Sequence, residues 1–410
     1  MVMPKLKETK LKEIDFSVFK GMGVSLILAA AGQGRRFVEG LEGLENLKKQ
    51  WILVHGMPLW QRVYEQFARL GCFERIVIVV SNPVERVFVQ QRLPSACVVV
   101  GGESRQESVQ NALVHVESHF VVVSDVARFG LDLRVLFNLF DTMQKQTLDG
   151  VAPAMPPSDT LVCGTPPWTL NRQEVRCVQT PQICLTSSLK KAYGLGKFTD
   201  ESSALLHLGA RVEFIEGSAH LHKLTHRWDF AILAPLIDPP TQHTGMGFDT
   251  HAFELHKPLK LGGILIESAD CQNLGLKAHS DGDVLLHALS DAILGAIKGG
   301  DIGMYFSDQD PRFKNMDSAI MLQEIYALLQ NMGYIVQSVD LNLLTEIPKI
   351  APYRERICQN VANLLRIHPH QVNLKATTLE GLGFIGRKEG MGAQAVVQIT
   401  SRPIDLHEKS

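Results

Sequence analysis

The chain has 410 residues, 45% hydrophobic and 20% charged, with 41 Lys+Arg against 43 Asp+Glu for a formal net charge of −2. That length exceeds the ~100–200 residues of one domain, the composition lies far from the disordered range, and near-neutrality excludes a protein that coats nucleic acid. No run approaches the ~18–20 consecutive apolar residues needed to cross a bilayer, and the seven cysteines (72, 97, 163, 177, 184, 271, 358), with no CxxC among them, fit reduced thiols in a cytoplasm better than a disulfide framework or a zinc ribbon.

Residues 1–22 read as an N-terminal extension. The Lys-rich leader 1–20 ahead of the apolar run 24–31 imitates a signal peptide, but it also carries Glu8, Glu13 and Asp15. The apolar run has only the length of a buried strand, so a loosely packed tail followed by a first strand is expected. From 23 to 232, continuous apolar runs at 24–30, 75–81, 96–100, 119–124, 149–154 and 211–215 alternate with helical stretches. Unbroken runs suit strands buried on both faces, and the spacings admit crossover helices, which predicts a three-layer α/β domain with a mainly parallel sheet.

A Pro-rich stretch at 233–243 reads as a stiff linker. Beyond it, 244–403 reads as a second domain. Its strands are expected near 245–252, 259–266, 335–344, 372–378 and 393–400, its helices near 281–298, 317–331 and 351–366. The elements are more segregated there, which is the α+β pattern.

The first strand runs directly into Ala30-Ala-Gly32-Gln-Gly34-Arg-Arg36. Glycines at a strand-to-helix turn let backbone N–H groups approach phosphate oxygens, and arginines add fixed positive charge. Alone, the segment fits an ordinary tight turn as well; it lacks the third glycine of a dinucleotide fingerprint and the ending of a P-loop.

It does not stand alone. Lys48-Lys49-Gln50, Gly101-Gly102-Glu-Ser-Arg105-Gln-Glu-Ser108-Val, Ser124-Asp125-Val-Ala-Arg128, Asp159-Thr160, Arg172, Gln179-Thr-Pro-Gln182, Phe198-Thr-Asp-Glu-Ser202 and Lys223 follow in order. The ordered set resembles the 2-C-methyl-D-erythritol 4-phosphate cytidylyltransferase family over about 24–230. The resemblance implies a Rossmann-like nucleotidyltransferase fold. It also implies attack of a phosphate oxygen on the α-phosphorus of CTP, a reaction that needs positioned cations and no covalent nucleophile.

On that resemblance Arg36 and Lys49 would stabilise the five-coordinate phosphorus, while Arg172 and Lys223, with Thr160 nearby, would hold the methylerythritol phosphate. Gly32, Gly34 and Ser108 would hold the triphosphate and cytosine, and Asp125 would sit beside Mg²⁺ or Mn²⁺ with Arg128 retained. The chain departs from the family pattern at Lys48, after an insertion at 38–46, and at Val126 and Phe129.

The second half carries a sharper signal. Gly247-Phe-Asp249-Thr-His251 ends a predicted strand, where residues two apart share a face. Downstream stands Ala278-His279-Ser280-Asp281-Gly-Asp283-Val-Leu-Leu-His287-Ala-Leu-Ser-Asp291. A helix starting near Asp281 would stack Asp283, His287 and Asp291 on one side. One carboxylate and two imidazoles with an open fourth position form the ligand set of a Lewis-acid zinc site, and a neighbouring carboxylate can orient a ligand histidine through its other nitrogen. A single helical histidine is more often structural; the two motifs together argue for a ligand set.

These stretches, with Leu261-Gly-Gly263, Gly300–Pro311, Ile347–Pro352 and Val372–Gly390, resemble 2-C-methyl-D-erythritol 2,4-cyclodiphosphate synthase over about 243–402. The resemblance implies Zn²⁺ on Asp249, His251 and His287. His279 and Ser280 would meet the substrate's phosphate, Asp301, Gly303 and Asp308 would line the erythritol pocket, and Lys349 would frame the cytidine. Thr377, Thr378 and Glu380 would bind the diphosphate with Mg²⁺ or Mn²⁺, beside Phe384 and Arg387; Leu379 replaces a more usual threonine.

Together the halves imply a bifunctional enzyme of the non-mevalonate isoprenoid pathway. It would be cytoplasmic, act on CTP and methylerythritol phosphates, use no nucleic acid or membrane, and form a homo-oligomer built on a trimer of the second domain. The rivals are a nucleotidyltransferase for another polyol phosphate fused to a zinc phosphodiesterase, and a first domain that binds CTP without turning it over.

Overall fold

The computed structural model describes residues 14–39, 45–54, 56–229 and 240–401. It divides into two compact units. The first takes in Met1–Phe37, Met57–Asn82 and Arg92–Asp229, the second Val38–Gly56, Pro83–Gln91 and Phe230–Ser410. The leader up to residue 13, part of the 38–46 insertion and most of the Pro-rich linker lie outside the described residues.

In the first unit eight strands form one sheet: β1 (Val24–Ala29), β2 (Arg75–Val80), β3 (Cys97–Val100), β4 (Phe120–Asp125), β5 (Gly150–Met155), β6 (Cys177–Val178), β7 (Gln182–Leu185) and β8 (Val212–Glu216). The order is β6-β5-β7-β4-β1-β2-β3, with β8 on β5. All six expected strands form. The pairs among β1 to β4 and that of β8 with β5 are parallel. Strand β7, which inserts antiparallel between β4 and β5, was not expected.

Burial on both faces explains the unbroken apolar runs: Ile27, Val77, Val79, Val121 and Val123 pack against Val109, Ala112 and Leu113 of helix α1 (Arg105–Leu113). Ala29 and Asp125 are register partners at the carboxyl ends of β1 and β4. The Gly-rich turn and Asp125 therefore leave adjacent strands at the same edge, where open α/β sheets bind ligands.

The end of the leader is not loose. Phe16 and Phe19 form a 3-10 turn and are almost wholly buried against Phe137 and Phe140 of helix α2 (Leu133–Lys145), with ring centroids 5.1–6.1 Å apart. Two apolar rings three apart among charged residues are the signal that the leader's charge count obscured.

The second unit holds a five-stranded sheet of β9 (Gln242–Leu255), β10 (Leu274–Leu276), β11 (Tyr334–Leu344), β12 (Val372–Thr377) and β13 (Gly390–Ser401) in the order β10-β9-β13-β11-β12. Helices α3 (Val284–Ala296), α4 (Ser318–Asn331) and α5 (Arg354–Leu364) follow the expected positions. The run 259–266 is not one strand but a tight hairpin of Lys260–Leu261 and Ile264–Leu265, turned by Gly262 and Gly263 at φ +61° and +76°. Positive φ at both positions suits glycine alone at low cost.

Strand β9 and helix α3 lie unusually close. A Cβ on Gly245 would stand 1.9 Å from Ala292 O, and one on Gly247 would stand 2.0 Å from Ala288 O. Only glycine permits that approach, which draws a helical histidine toward the strand. Elsewhere in this unit Lys48 is buried with its Nζ 2.6 Å from Glu85, and Asn331 Nδ2 donates to the same carboxylate at 3.1 Å. Among the described residues no helix is long and apolar enough to cross a membrane.

Candidate functional site

At the first unit's sheet edge the charged groups form one network. Asp125 Oδ1 accepts from Arg105 Nε at 2.8 Å and Oδ2 from Lys223 Nζ at 2.6 Å. Arg105 turns its other nitrogens to Glu201, at 2.8 and 3.1 Å, and Tyr193 OH donates to Glu201 at 2.8 Å. Burial by itself would raise the Asp125 carboxyl, but the charges of Arg105 and Lys223 hold it far below the usual carboxylate range. Burial likewise works against the Arg105 cation, and the two carboxylates override it and raise its pKa.

Arg128 donates to Thr180 Oγ1 at 3.1 Å and to the Leu221 carbonyl, which pins the segment that carries Lys223. Its pKa falls, chiefly through burial.

Asp125, Arg128 and Lys223 are thus brought together. Gly34 has φ +68°, and Gly32, Arg35 and Arg36 are exposed at the turn that leaves β1. Ser108 is buried and its hydroxyl accepts from Gly102 N–H at 3.2 Å, where it closes the Gly-Gly turn. Arg172 and Thr160 are exposed, and Arg172 donates to the Ser158 carbonyl at 3.3 Å. Among the described contacts none ties either residue to the Asp125 network. Lys49 lies in a 3-10 turn, Lys49–Trp51, that clusters with the second unit. The departure Val126 is accommodated as a core residue. Sequence reasoning gave no role to Arg105, Glu201 or Thr180, although each sits inside a motif that carried the resemblance.

In the second unit Asp249 and His251 project from the same face of β9 toward α3, as residues two apart must. His251 Nε2 lies 2.9 Å from Asp249 Oδ2, His287 Nδ1 lies 3.0 Å from that oxygen, and the two ring nitrogens are 3.2 Å apart. All three ligand atoms fall within 4.8 Å of one another and can hold one metal ion. Burial would raise the Asp249 carboxyl, yet hydrogen bonds and charge from both histidines press it far below its ordinary value. Against its own burial, His287 is raised by the Asp249 carboxylate. A carboxylate packed against two imidazoles with an open side matches the donor set of a divalent ion.

The helix begins at Val284, three residues later than the motif suggested, and the two carboxylates take other roles. Asp283 is its N-cap: it is wholly buried and accepts from Gly262, Gly263 and Leu286 N–H at 2.9, 2.6 and 3.2 Å. Burial raises its pKa. Asp291 accepts from Ile302 N–H at 2.7 Å and so anchors the loop with Asp301 and Gly303, both exposed. Neither carboxylate orients His287; Ser318 and Ser280 face its second nitrogen instead, at 2.9 and 3.2 Å. His279 Nε2 is buried with no hydrogen-bond partner among the described residues.

The other expected residues stand elsewhere in the unit. Asp308 and Lys349 are exposed on loops. Thr377, Thr378, Glu380, Phe384 and Arg387 are exposed where β12 ends and beyond; Thr378 Oγ1 donates to Glu380 at 2.8 Å, and Arg387 pairs with Glu389 at 2.8 Å. Leu379 N–H donates to Glu346 at 3.0 Å, so its backbone, not a hydroxyl, secures the turn.

A cation-lined edge on a mainly parallel sheet and a triad able to hold a metal ion on a second α+β unit fit a nucleotidyltransferase joined to a metal-dependent phosphate-chemistry enzyme. The family model for 2-C-methyl-D-erythritol 4-phosphate cytidylyltransferase matches residues 24–237, and the model of the YgbB family matches 242–400. The bifunctional enzyme IspD/IspF of Sulfurovum sp. (strain NBC37-1) is 40% identical over 380 residues, 92% of this chain and 97% of its own. Its counterpart from Wolinella succinogenes is 39% identical over 376 residues, 91% of this chain and 95% of its own. The solved structure of the bifunctional IspDF from Campylobacter jejuni superposes with a TM-score of 0.66 at 35% identity, covering 93% of this chain and 99% of that one. The chain belongs to the bifunctional IspD/IspF family. It is an enzyme of isoprenoid biosynthesis by the non-mevalonate (MEP) pathway, with a cytidylyltransferase domain and a cyclodiphosphate synthase domain.

Proposed function

We propose that the first site transfers CMP from CTP to 2-C-methyl-D-erythritol 4-phosphate with release of pyrophosphate. The second would close 4-CDP-2-C-methyl-D-erythritol 2-phosphate to the 2,4-cyclodiphosphate with release of CMP. The domains are read as 23–232 and 244–403, joined by 233–243, and a cytoplasmic location suits seven cysteines that are all free.

The observation that carries the first assignment is the Asp125–Lys223 pair at the carboxyl ends of β1 and β4. Mg²⁺ with triphosphate at Asp125 and an acceptor phosphate at Lys223 would exchange this internal pair for two ligand contacts. Lys223 would then stand free to hold the attacking group, with Arg172 and Thr160 on the exposed arm closing over it. Gly32, Gly34 and Ser108 would seat the nucleotide, and Arg36 and Lys49 would neutralise charge that grows on the phosphorus. Arg128 keeps the Lys223 segment in place.

In the second site Asp249, His251 and His287 would hold Zn²⁺, and Glu380 with Thr378 would serve Mg²⁺ or Mn²⁺; such ions polarise a phosphoryl oxygen and hold both substrate arms in register. The unpartnered Nε2 of His279 and the hydroxyl of Ser280 suit the substrate's 2-phosphate. Asp301, Gly303 and Asp308 would receive the erythritol, Lys349 the cytidine, and Thr377, Phe384 and Arg387 the opposite wall.

That opposite wall belongs to another copy. Thr250 is level with Thr377 in the sheet register but lies three strands away through Gly392 and Leu344, a gap of ~14 Å at the usual strand spacing. One phosphorus cannot touch both within a protomer. The β9 face opposite the triad exposes Met246 and Phe248, at 63% and 57%, as an interface would. A trimer built on this domain is the reading that unites them.

Asp125→Asn and His251→Ala in the full chain test the assignment. The first should abolish pyrophosphate release and leave cyclisation intact; the second should do the reverse. Loss of both activities in either variant would defeat the division of labour, and hydrolysis in place of cyclisation would favour a phosphodiesterase.

A further inference from the structure

The unexpected feature of the metal site is what stands behind it. His287 Nε2 faces Ser318 Oγ at 2.9 Å, and Ser318, the first residue of α4, is fully buried. The Ser318 hydroxyl donates to Asp281 Oδ1, which also accepts from Ser318 N–H at 3.3 Å. The other oxygen of Asp281 accepts from Lys260 Nζ at 3.2 Å, and Lys260 also reaches Asp317 at 3.2 Å. Ser280 Oγ, the second group near Nε2 at 3.2 Å, accepts from Gly282 N–H at 3.1 Å.

Proton counting makes this chain directional. A serine hydroxyl has one hydrogen. Ser318 gives its hydrogen to Asp281, so the Ser318 oxygen meets His287 only as an acceptor. Nε2 must then carry the ring hydrogen. The Nδ1 lone pair is left for the metal, and Nδ1 is the atom that points at Asp249 and His251.

We propose that Ser318 and Asp281 form a positioning relay for the metal, in which Lys260 locks Asp281, Asp281 locks Ser318, and Ser318 fixes the tautomer and ring angle of His287. The proposal rests on the reading of Asp249, His251 and His287 as ligands. Neither Ser318 nor Asp281 touches the ion; each acts through His287, as outer-shell groups do at histidine-rich sites, where their loss typically weakens binding by ~10–100-fold.

Asp281→Asn makes the sharper variant. An amide accepts on one side only, so it fails either Lys260 or the Ser318 hydroxyl and N–H, and no carboxylate is left to hold the Ser318 hydrogen away from Nε2.

The experiment titrates metal-stripped full-length protein with Zn²⁺ against a chromophoric chelator and records the visible spectrum of the Co²⁺ form. Ser318→Ala should weaken Zn²⁺ by ~10-fold or more, Asp281→Asn by at least as much, both with altered Co²⁺ bands. Ser318→Thr, which keeps the hydroxyl, should stay near wild type. Pyrophosphate release by the same chains should be unchanged, and their far-UV circular dichroism and unfolding midpoint should match wild type, which reports that the second unit is folded; should Ser318→Ala fail to fold, Asp281→Asn decides. Wild-type Zn²⁺ affinity and an unchanged Co²⁺ spectrum in Ser318→Ala and Asp281→Asn would overturn the relay. His287→Ala separates the two levels: if it too binds Zn²⁺ as wild type, the ligand assignment itself is wrong and the relay falls with it.

Discussion

At the scale of single residues, Arg105 is the group on which the first site turns. It stands between Asp125 and the fully buried Glu201 side chain. Removing one member of a buried charge network leaves its partner uncompensated, at a cost of ~3–5 kcal/mol. Arg105→Met should therefore lower stability by about that amount in denaturant titration, and Arg105→Met/Glu201→Gln should recover part of it. A single variant as stable as wild type would show that Glu201 finds other partners.

Because the Asp125 pKa is depressed on folding, its contribution is complete above the unfolded carboxylate value of ~3.9 and is lost as pH falls through the folded value. Stability from this pair should be flat from about pH 8 to about pH 5 and fall only in strong acid. The thiols divide just as sharply. Burial pushes Cys72 up to about 11 and raises Cys184 well above the ordinary thiol range, whereas Cys177 is exposed. At pH ~8 iodoacetamide should label Cys177 first and spare Cys72 and Cys184 until the chain unfolds, because the thiolate is the reactive form. Equal labelling rates would contradict the burial described.

At the scale of elements, the metal triad depends on how closely α3 lies on β9. Gly247→Ala would place a methyl 2.0 Å from Ala288 O, so strand and helix must separate by about 1 Å or more. Zn²⁺ affinity and cyclisation should collapse while pyrophosphate release persists; a variant with intact metal affinity would show that the approach is not required. This is also where legibility in the sequence was uneven. The triad could be read because period two on a strand and two linked motifs fix it locally. The roles of Asp283 and Asp291 could not: a start three residues later makes Asp283 the cap that holds the Gly262–Gly263 hairpin, and Asp291 is claimed by a loop eleven residues on. Strand β7 was hidden for a similar reason: a short antiparallel insertion has no period of its own, only neighbours. The relay through Ser318 was beyond reach, since it joins residues 31 apart in sequence.

At the scale of the whole molecule, Thr250 and Thr377 lie three strands apart in one protomer, so the proposed site predicts that assembly is a condition of cyclisation. Two variants, His251→Ala and Thr378→Val with Glu380→Ala, should each be inactive in cyclisation. Mixed under conditions that exchange subunits, they should regain activity, because some interfaces then pair an intact triad with an intact diphosphate wall. No recovery after proven exchange would place both halves in one protomer. Fold class was legible at this scale from apolar run length. The packing of Phe16 and Phe19 was not, because it depends on contacts with α2 more than a hundred residues away.

The most direct measurement is phosphorus NMR of the products formed by one purified full-length chain. With methylerythritol 4-phosphate, CTP and Mg²⁺, the account predicts pyrophosphate and a CDP-alcohol. With the 2-phosphorylated CDP-alcohol, Zn²⁺ and Mg²⁺, it predicts CMP and a cyclic diphosphate. Nucleotide binding without pyrophosphate in the first reaction, or an open-chain hydrolysis product in the second, would contradict it.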